Sequence, residues 1–533
     1  MVAEGKAGRG DEVGDVDDRT LEELVEALPL AEPSSPFSAQ ATDRCSLDEA
    51  EGAAEIGQPG GSAGLTSRAK ATEEIGVARG GFLPRVEISA GIGRERLTPR
   101  SVGADTTYTR HDTLINLRQM VFDGFATSSE VKRLGKAKLV RYFELLDASE
   151  NTALEAGRAY LDVVRYRRLA YLAEDNYIQH QAAYEQLRRR AESGVGKRVD
   201  VDQAASRLAL ADVNLTTALA NLHDVTARYL RIVGEQPAKV MFAPADLATA
   251  FPEKADAALL LALRNNPALR STIENIEASQ YDLEARRAAY LPLAEMVSDI
   301  ETLNTYFAVD GSGDNSVVEM RLFYNLFNGG SDIARDRQYR ERKNIALDQR
   351  EKACRDIRQT LSIAYHDTVR LADQLSFLAL QVDLVERTRN AYRDQFNIGQ
   401  RTLLDLLNTQ NEFFDARRSQ VNADVDLSLA YLRSYAGMGR LLEKLGLKRA
   451  EAESAPDEKE MAPLDLAQLC PPTAPAEIHP DRETLGRKAR ELMEGSSNSF
   501  IGARNQPSTA VAPDAAGRSL ASPALSMERE GAR

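Results

Sequence analysis

The side chains able to do chemistry are few, and most are poorly placed for it. His111, His180, His223, His366 and His479 are scattered, with no HExxH spacing and no cysteine partner, so they point to no metal site. Cys45, Cys354 and Cys470 have neither metal-ligand nor CxxC spacing; an odd count supports no disulfide framework, and they read as free thiols or bystanders. Gly91-Ile92-Gly93 lacks the third glycine and the following helix of a dinucleotide site. No nucleophile–base pair or phosphate loop stands out, which argues against an enzyme and against a bound cofactor. What remains is charge gathered at two glycine turns. One runs from Ser193 to Asp202 with Gly194, Gly196, Arg198, Asp200 and Asp202; the other runs from Phe396 to Asp405 with Gly399, Arg401 and Asp405. Such residues offer pairing rather than bond-making, since an Arg–carboxylate contact is directional and can be bidentate. The plainer alternative is a set of solvated turn residues.

Long helices must hold these turns. No proline lies between Pro99 and Pro237, and Ser128 to Arg190 is rich in Ala, Leu, Glu, Arg and Lys, all good helix formers. Such a helix would run roughly 90–100 Å at 1.5 Å per residue. Gly194 and Gly196 break it, and a second helix runs back from Asp200 to Ile232, stopping at Gly234. Either Ser128 or Ser129 can cap the long helix. Tyr160, Tyr177 and Tyr184 on it read as packing residues, and the Arg188-Arg189-Arg190 run as a solvated tip or a docking surface.

The layout occurs twice. Gly196, Arg198 and Asp202 match Gly399, Arg401 and Asp405; Tyr160 and Asp162 match Tyr365 and Asp367; Phe122-Asp-Gly124 matches Phe327-Asn-Gly329; Phe82-Leu-Pro84 matches Tyr290-Leu-Pro292. Four anchors at nearly one offset indicate a duplicated unit. The expected organisation is a first repeat over 67–250, a second over 251–447, and flanks at 1–66 and 448–533. Both flanks read as mostly disordered, apart from two possible helical turns at Thr20–Leu28 and a short helix around Asp481–Met493. In the second repeat Asp256–Ala289 is helical, with Asn265-Asn-Pro267 as a joint; another long helix runs to Phe396, turns, and returns to about Lys444.

Four short stretches change period. Val86, Ile88, Ala90 and Ile92 alternate with Glu87, Ser89, Gly91 and Gly93, and Thr113–Phe122 alternates likewise. Leu293–Leu303 is a third strand. Gly311–Asn315 is a loop, and Val318, Met320, Leu322 and Tyr324 mark a fourth strand beyond it. Four strands with an apolar face leave open edges, a liability that closure removes. Strands of 9–11 tilted residues can cross a bilayer, but a transmembrane barrel needs at least about eight. Several copies could therefore share one barrel, with the helical hairpins bundled below it. The alternative is a soluble helical scaffold carrying two exposed β-hairpins.

Composition is compatible with either. The 533 residues include no Trp, 6% aromatics and 28% charged residues, which suits long helices with small contacts better than a thick globular core. A net charge of −14 argues against a nucleic-acid partner. No window of about 18 apolar residues occurs, so no membrane-spanning helix is expected. Met1–Gly10 shows no basic start followed by an apolar run, so no secretory signal peptide is read there.

Phe82–Gly91, Leu117–Thr127, Glu192–Gln203 and Phe396–Asp405 together resemble the TolC family of outer-membrane channel proteins, the first three runs its type I secretion branch in particular. The resemblance covers roughly residues 66–447 and recurs in both halves. It implies a mainly α chain with a small β part: duplicated helical hairpins forming an α-barrel, and four strands per chain entering a trimeric, twelve-stranded transmembrane β-barrel. It further implies a homotrimer in outer-membrane lipid whose periplasmic tunnel meets a membrane fusion (adaptor) protein and an inner-membrane ABC transporter. Exported protein would pass through it; efflux of small molecules by the same architecture is an open alternative. By the same resemblance Asp202 and Asp405 occupy acidic tunnel-entrance positions, and Arg401 the basic position that ties neighbouring helices. Phe396 stands where a hydrogen-bonding Tyr can occur and Asn408 where a second Asp can, which implies a weaker latch and a less negative entrance.

Overall fold

The computed structural model describes residues 44–45, 59–97, 106–242, 244, 246–306, 309–447 and, with gaps, 456–502. The expected turns at Thr20–Leu28 lie outside them. The chain divides into two units, Met1–Ala474 and Pro475–Arg533. In the first unit the order of the larger elements is α1 (Pro59–Arg79), β2 (Arg85–Leu97), β3 (Thr106–Phe122), α2 (Ala126–Glu192), α3 (Arg198–Val233), α4 (Ala255–Asn265), α5 (Pro267–Arg287), β5 (Leu293–Tyr306), β6 (Val309–Phe323), α6 (Ser331–Asn397), α7 (Leu403–Gly437) and α8 (Leu441–Lys444). Two-residue strands β1 (Arg44–Cys45) and β4 (Val240–Met241) pair in parallel. The second unit carries α9 (Arg482–Gly502).

The halves match in length as well as order. Helices α2 and α6 each have 67 residues, α1 and α5 each have 21, and the returning helices α3 and α7 have 36 and 35. At 1.5 Å per residue the long helices extend about 100 Å. Neither has interior proline, so nothing removes a ladder hydrogen bond along that length.

The long helices begin differently from expectation. Helix α2 opens at Ala126, and neither Ser128 nor Ser129 caps it; Phe125 takes the cap position at φ 69°, and Asp123 Oδ2 accepts from Thr127 N at 2.7 Å. A carboxylate placed there satisfies an orphan donor and faces the positive end of the helix. Helix α6 follows Gly329 and Gly330, both at positive φ. The joint between α4 and α5 is built by Asn266, whose side chain accepts from Leu269 N, with Pro267 at the first helical position.

The strands form one antiparallel sheet in the order β2-β3-β5-β6. Register places Ile88, Ile115 and Ile300 in one row, with Val86, Leu117 and Val318 in a row of the same face. That face is solvent-bare in the isolated chain: Ile88 is 71% exposed, Val318 73% and Leu322 70%. The other face carries Glu87, Asn116 and Asp299 in one row and Arg118 and Glu319 in another. Asn116 donates to Asp299, and Arg321 pairs with both Asp299 and Glu319. Strands β2 and β6 are both edges. The segment Gly311–Asn315, expected as a loop, belongs to β6, with Gly313 opposite Leu303 and Asn315 opposite Glu301.

The main core lies where α2, α3, α4, α6, α7 and α8 converge, around Tyr160, Tyr229, Leu361, Leu432 and Leu441. Buried tyrosines there satisfy their hydroxyls on loop backbone: Tyr160 with Phe242 N and O, Tyr435 with Leu247 O and Thr249 O, and Tyr365 with Pro252 O. Tyr160 is thus the packing residue expected. The stretch after α8, expected to be loose, packs in part: Met461 lies against Tyr142, Phe143 and Leu146 of α2, and Ala462 is buried. The cysteine reading needs correction, because Cys354 is fully buried and disulfide-bonded, not a free thiol. Spacing could not reveal it, since each other cysteine is more than a hundred residues away in sequence.

Candidate functional site at the helical tips

The two glycine turns lie side by side. Leu187 from α2, Ala204 from α3 and Leu403 and Leu407 from α7 form a small buried cluster, with Tyr184, Val201 and Phe396 packed on it. This cluster fixes the relative position of the charged residues above it, and burying it supplies about 1.5–3 kcal/mol per leucine.

Helix α2 ends because Gly194 reverses the chain at φ 79°, letting Gly194 N reach Ala191 O and both Val195 N and Gly196 N reach Arg190 O. At Gly196 the constraint is space: an added Cβ would lie 2.9 Å from Ala191 N. Gly399 ends α6 in the same way at φ 78°, and Gln400 N donates to Gln395 O. Both turns therefore use the left-handed residue that glycine adopts without steric cost.

Arg401 is held within its own turn. Its Nε donates to Gln395 Oε1 at 3.1 Å, its Nη1 lies 3.7 Å from Asp405 Oδ2, and its guanidinium stacks 4.4 Å from the Tyr392 ring centre. Asp405 is oriented by Thr402, whose hydroxyl donates to Asp405 Oδ2 at 2.8 Å and accepts from Asp405 N to cap α7. Asp202 stands exposed near the start of α3, just past the first turn. The structure thus brings Arg401 and Asp405 together, while Asp202 sits in the neighbouring turn beyond that pair. The residues that seat Arg401 escaped the sequence reading. Thr402, three before Asp405 at a helix start, carried the capping signal that could have found it; Gln395 and Tyr392 carried none.

The two positions that depart from the family pattern also have partners. Asn408 Oδ1 accepts from Arg207 Nη2 at 3.1 Å, joining α7 to α3, and the Arg190 guanidinium lies 5.2 Å from the centre of the Phe396 ring. A little above the tips, His180 on α2 is 1% exposed and shares a 3.0 Å hydrogen bond with Asn411 on α7. Burial holds its imidazole below the ordinary range, and the Arg207 charge pushes the same way, against the Asn411 hydrogen bond. Among the described residues no group of three His, Cys, Asp or Glu side chains could hold a metal ion, and no helix is long and apolar enough to cross a membrane.

A sheet with one bare apolar face and one charged face, set on 100 Å helical hairpins with charged tips, defines the class of channel-tunnels. The chain belongs to the outer membrane efflux protein family, whose model matches residues 63–235 and again 258–440, about two thirds of the chain. It is 27% identical over 382 residues to the outer membrane efflux protein BepC of Brucella suis, covering 71% of this chain and 82% of that one. It is 23% identical over 440 residues to the alkaline protease secretion protein AprF of Pseudomonas aeruginosa, covering 78% and 88%. Its fold superimposes on the CmeC outer membrane channel of Campylobacter jejuni with a TM-score of 0.68 at 13% identity, over 82% of this chain and 98% of that one.

Proposed function

We propose that this chain is one subunit of a homotrimeric outer-membrane channel-tunnel, the passive exit conduit of a type I secretion system. The observation that carries this is the sheet. Among the described residues its edge strands β2 and β6 each pair on one side alone, one face is apolar and the opposite face is charged. Four strands cannot close a barrel, whereas three copies supply twelve, with the Ile88–Ile115–Ile300 face toward lipid and the Asn116–Asp299 face toward water. The hairpins then span the periplasm, and their tips face an adaptor (membrane fusion) protein and an inner-membrane ABC transporter. The two repeats, 67–250 and 251–447, form the conduit, and 1–66 and 448–533 are its appendages. The role is conduction without catalysis. Asp202 and Asp405 line the entrance, and Arg401 latches it.

AprF, named for protease secretion, supports protein as the cargo. BepC, named for efflux, favours a second reading in which small molecules use the same conduit. Purified chain in detergent should run at three times 58.5 kDa and form ion-conducting pores in planar bilayers. A water-soluble monomer without conductance refutes the channel. Export of a co-expressed protein substrate only when this chain is present selects secretion over efflux.

A further inference from the structure

A ring nitrogen buried without a partner sits where the two hairpins of the chain meet. His180 Nδ1 on α2 has no hydrogen-bond partner among the described residues, and neither has Asn176 Oδ1 one turn above it. Both side chains are buried, at 1% and 2% exposure. Residues four apart share a helix face, with Cβ atoms about 5–6 Å apart, so the two atoms belong to one patch. His180 Nε2 shares its hydrogen bond with Asn411 Oδ1, an acceptor, so the neutral ring keeps its one proton there. That leaves Nδ1 a bare lone pair one turn from a second bare acceptor. Buried polar atoms are mostly paired, and these two lack only a donor, which a proton on Nδ1 supplies.

The charges around the ring are unevenly placed. Arg165 on Asp426 and Arg168 on Asp424 set α2 and α7 antiparallel in the register that brings His180 to Asn411. On α7, Glu412 and Asp415 open onto a groove of about 600 Å³ that Arg207 and Phe414 also line, and Asp415 lies 3.7 Å from Arg418. On α6, Arg393 donates to Gln179, and Arg389 stacks on Phe413 with Asp175 opposing its charge. On α2 itself Glu185 is taken by Gln181 and Arg188, and Tyr184 packs on the leucine cluster below. On α3, Ala211 is buried and Asp212 exposed, which leaves Arg207 as the charge that acts on the ring. Arg207 Nη2 also donates to Asn408 Oδ1 at 3.1 Å and so ties α3 to α7. A positive charge on the ring would therefore act on the side chain that makes this tie.

We propose that His180 is a proton sensor for the seam between the hairpins: protonation at Nδ1 sets an imidazolium against Arg207, breaks the Arg207–Asn408 bond and parts α3 from α7. The proton comes from solvent and goes to the Nδ1 lone pair. Asn176 Oδ1 accepts from the new Nδ1–H, so α2 keeps the ring, while α3 offers it only a like charge and moves off. Parting also admits water to the imidazolium, which the closed seam denies it. The closed seam thus binds the proton more weakly than the open one, and acid favours opening. The ratio of open to closed seams should rise up to about tenfold as the pH falls from about 7.5 to 5.5. Histidine is the side chain whose ordinary titration falls in that interval. The other histidines of the helices, His223 and His366, lie further up the rods.

The seam belongs to one chain and can be read without a pore; its consequence, an entrance that widens in acid, rests on the conduit reading. Because the chain has no Trp, F414W reports on the seam alone, from a site 7% exposed in the groove. In detergent, acrylamide quenching of F414W should rise at least about twofold between about pH 7.5 and 5.5, and adding H180Q or R207Q should flatten that rise. A flat F414W profile, or an undiminished rise with both additions, overturns the proposal. If F414W does not fold, hydrogen exchange in peptides covering 204–214 decides: at acid pH wild type should exchange faster than H180Q, and equal rates overturn the proposal. Bilayer recordings separate the two readings. Conductance that grows in acid for wild type and not for H180Q supports both. Responsive quenching without pores sinks the conduit and keeps the sensor, whereas pores with flat quenching keep the conduit and sink the sensor. Responsive quenching with pores indifferent to pH keeps the sensor and removes its hold on the entrance.

Discussion

Arg401 is gripped by three groups of its own turn, which sets how strongly it can act elsewhere. Its pair with Asp405 is 3.7 Å long and partly exposed, so it contributes about 0–1 kcal/mol to stability. Replacing Arg401 and Asp202 with Ala and Asn should therefore leave the thermal midpoint nearly unchanged while raising single-channel conductance; an unchanged conductance counts against the latch. His180 makes the opposite kind of prediction, about stability rather than gating. Its folded form resists protonation, so the unfolded chain binds a proton more readily. Stability is then fully present above the ordinary histidine value of about 6.5 and declines as the pH falls below it toward the depressed folded value. An H180Q chain, which keeps a partner for Asn411, should lose that slope; thermal melts between about pH 7.5 and 5.5 measure it.

At the level of elements, the joints decide more than the rods. Gly439 closes α7 at φ 67°, and a Cβ there would lie 2.8 Å from Asn265 O and 3.0 Å from Pro267 Cδ, groups that cannot yield. G439A should cost about 3 kcal/mol, and G194A, whose Cβ would enter open space, about 1 kcal/mol, by denaturant melts. This contrast shows what was legible in the sequence. The Asn265-Asn-Pro267 joint and the Gly194, Gly234 and Gly399 stops are local signals, and each occurs where its chemistry places it. Gly311–Asn315 carried equally local loop signals, yet pairing with β5 holds it in a strand, because sheet conformation is decided by the neighbour as much as by the residue. Asp123 took the cap from Ser128 and Ser129 because the helix begins two residues earlier than its composition suggests. At the tips, the turns were readable but the partners of Arg401 across the turn were not.

For the whole molecule the bare face of the sheet is decisive. I88R or I300R should cost about 2–4 kcal/mol where the side chain meets the bilayer midplane, and should reduce the trimer recovered from membranes. Removing a charge on the other face, as in Glu319→Gln, should leave that yield unaltered. The matched lengths of α2 and α6 have a mechanical corollary. In the proposed trimer, six pillars of equal height would hold a level rim, so that all the turns reach a docking plane together. Lengthening α2 alone by two heptads would lower three of the six feet by about 21 Å at 1.5 Å per residue, and a partner that needs a flat seat would find only every other foot. Growth of such a tunnel must therefore proceed in both halves of the gene at once.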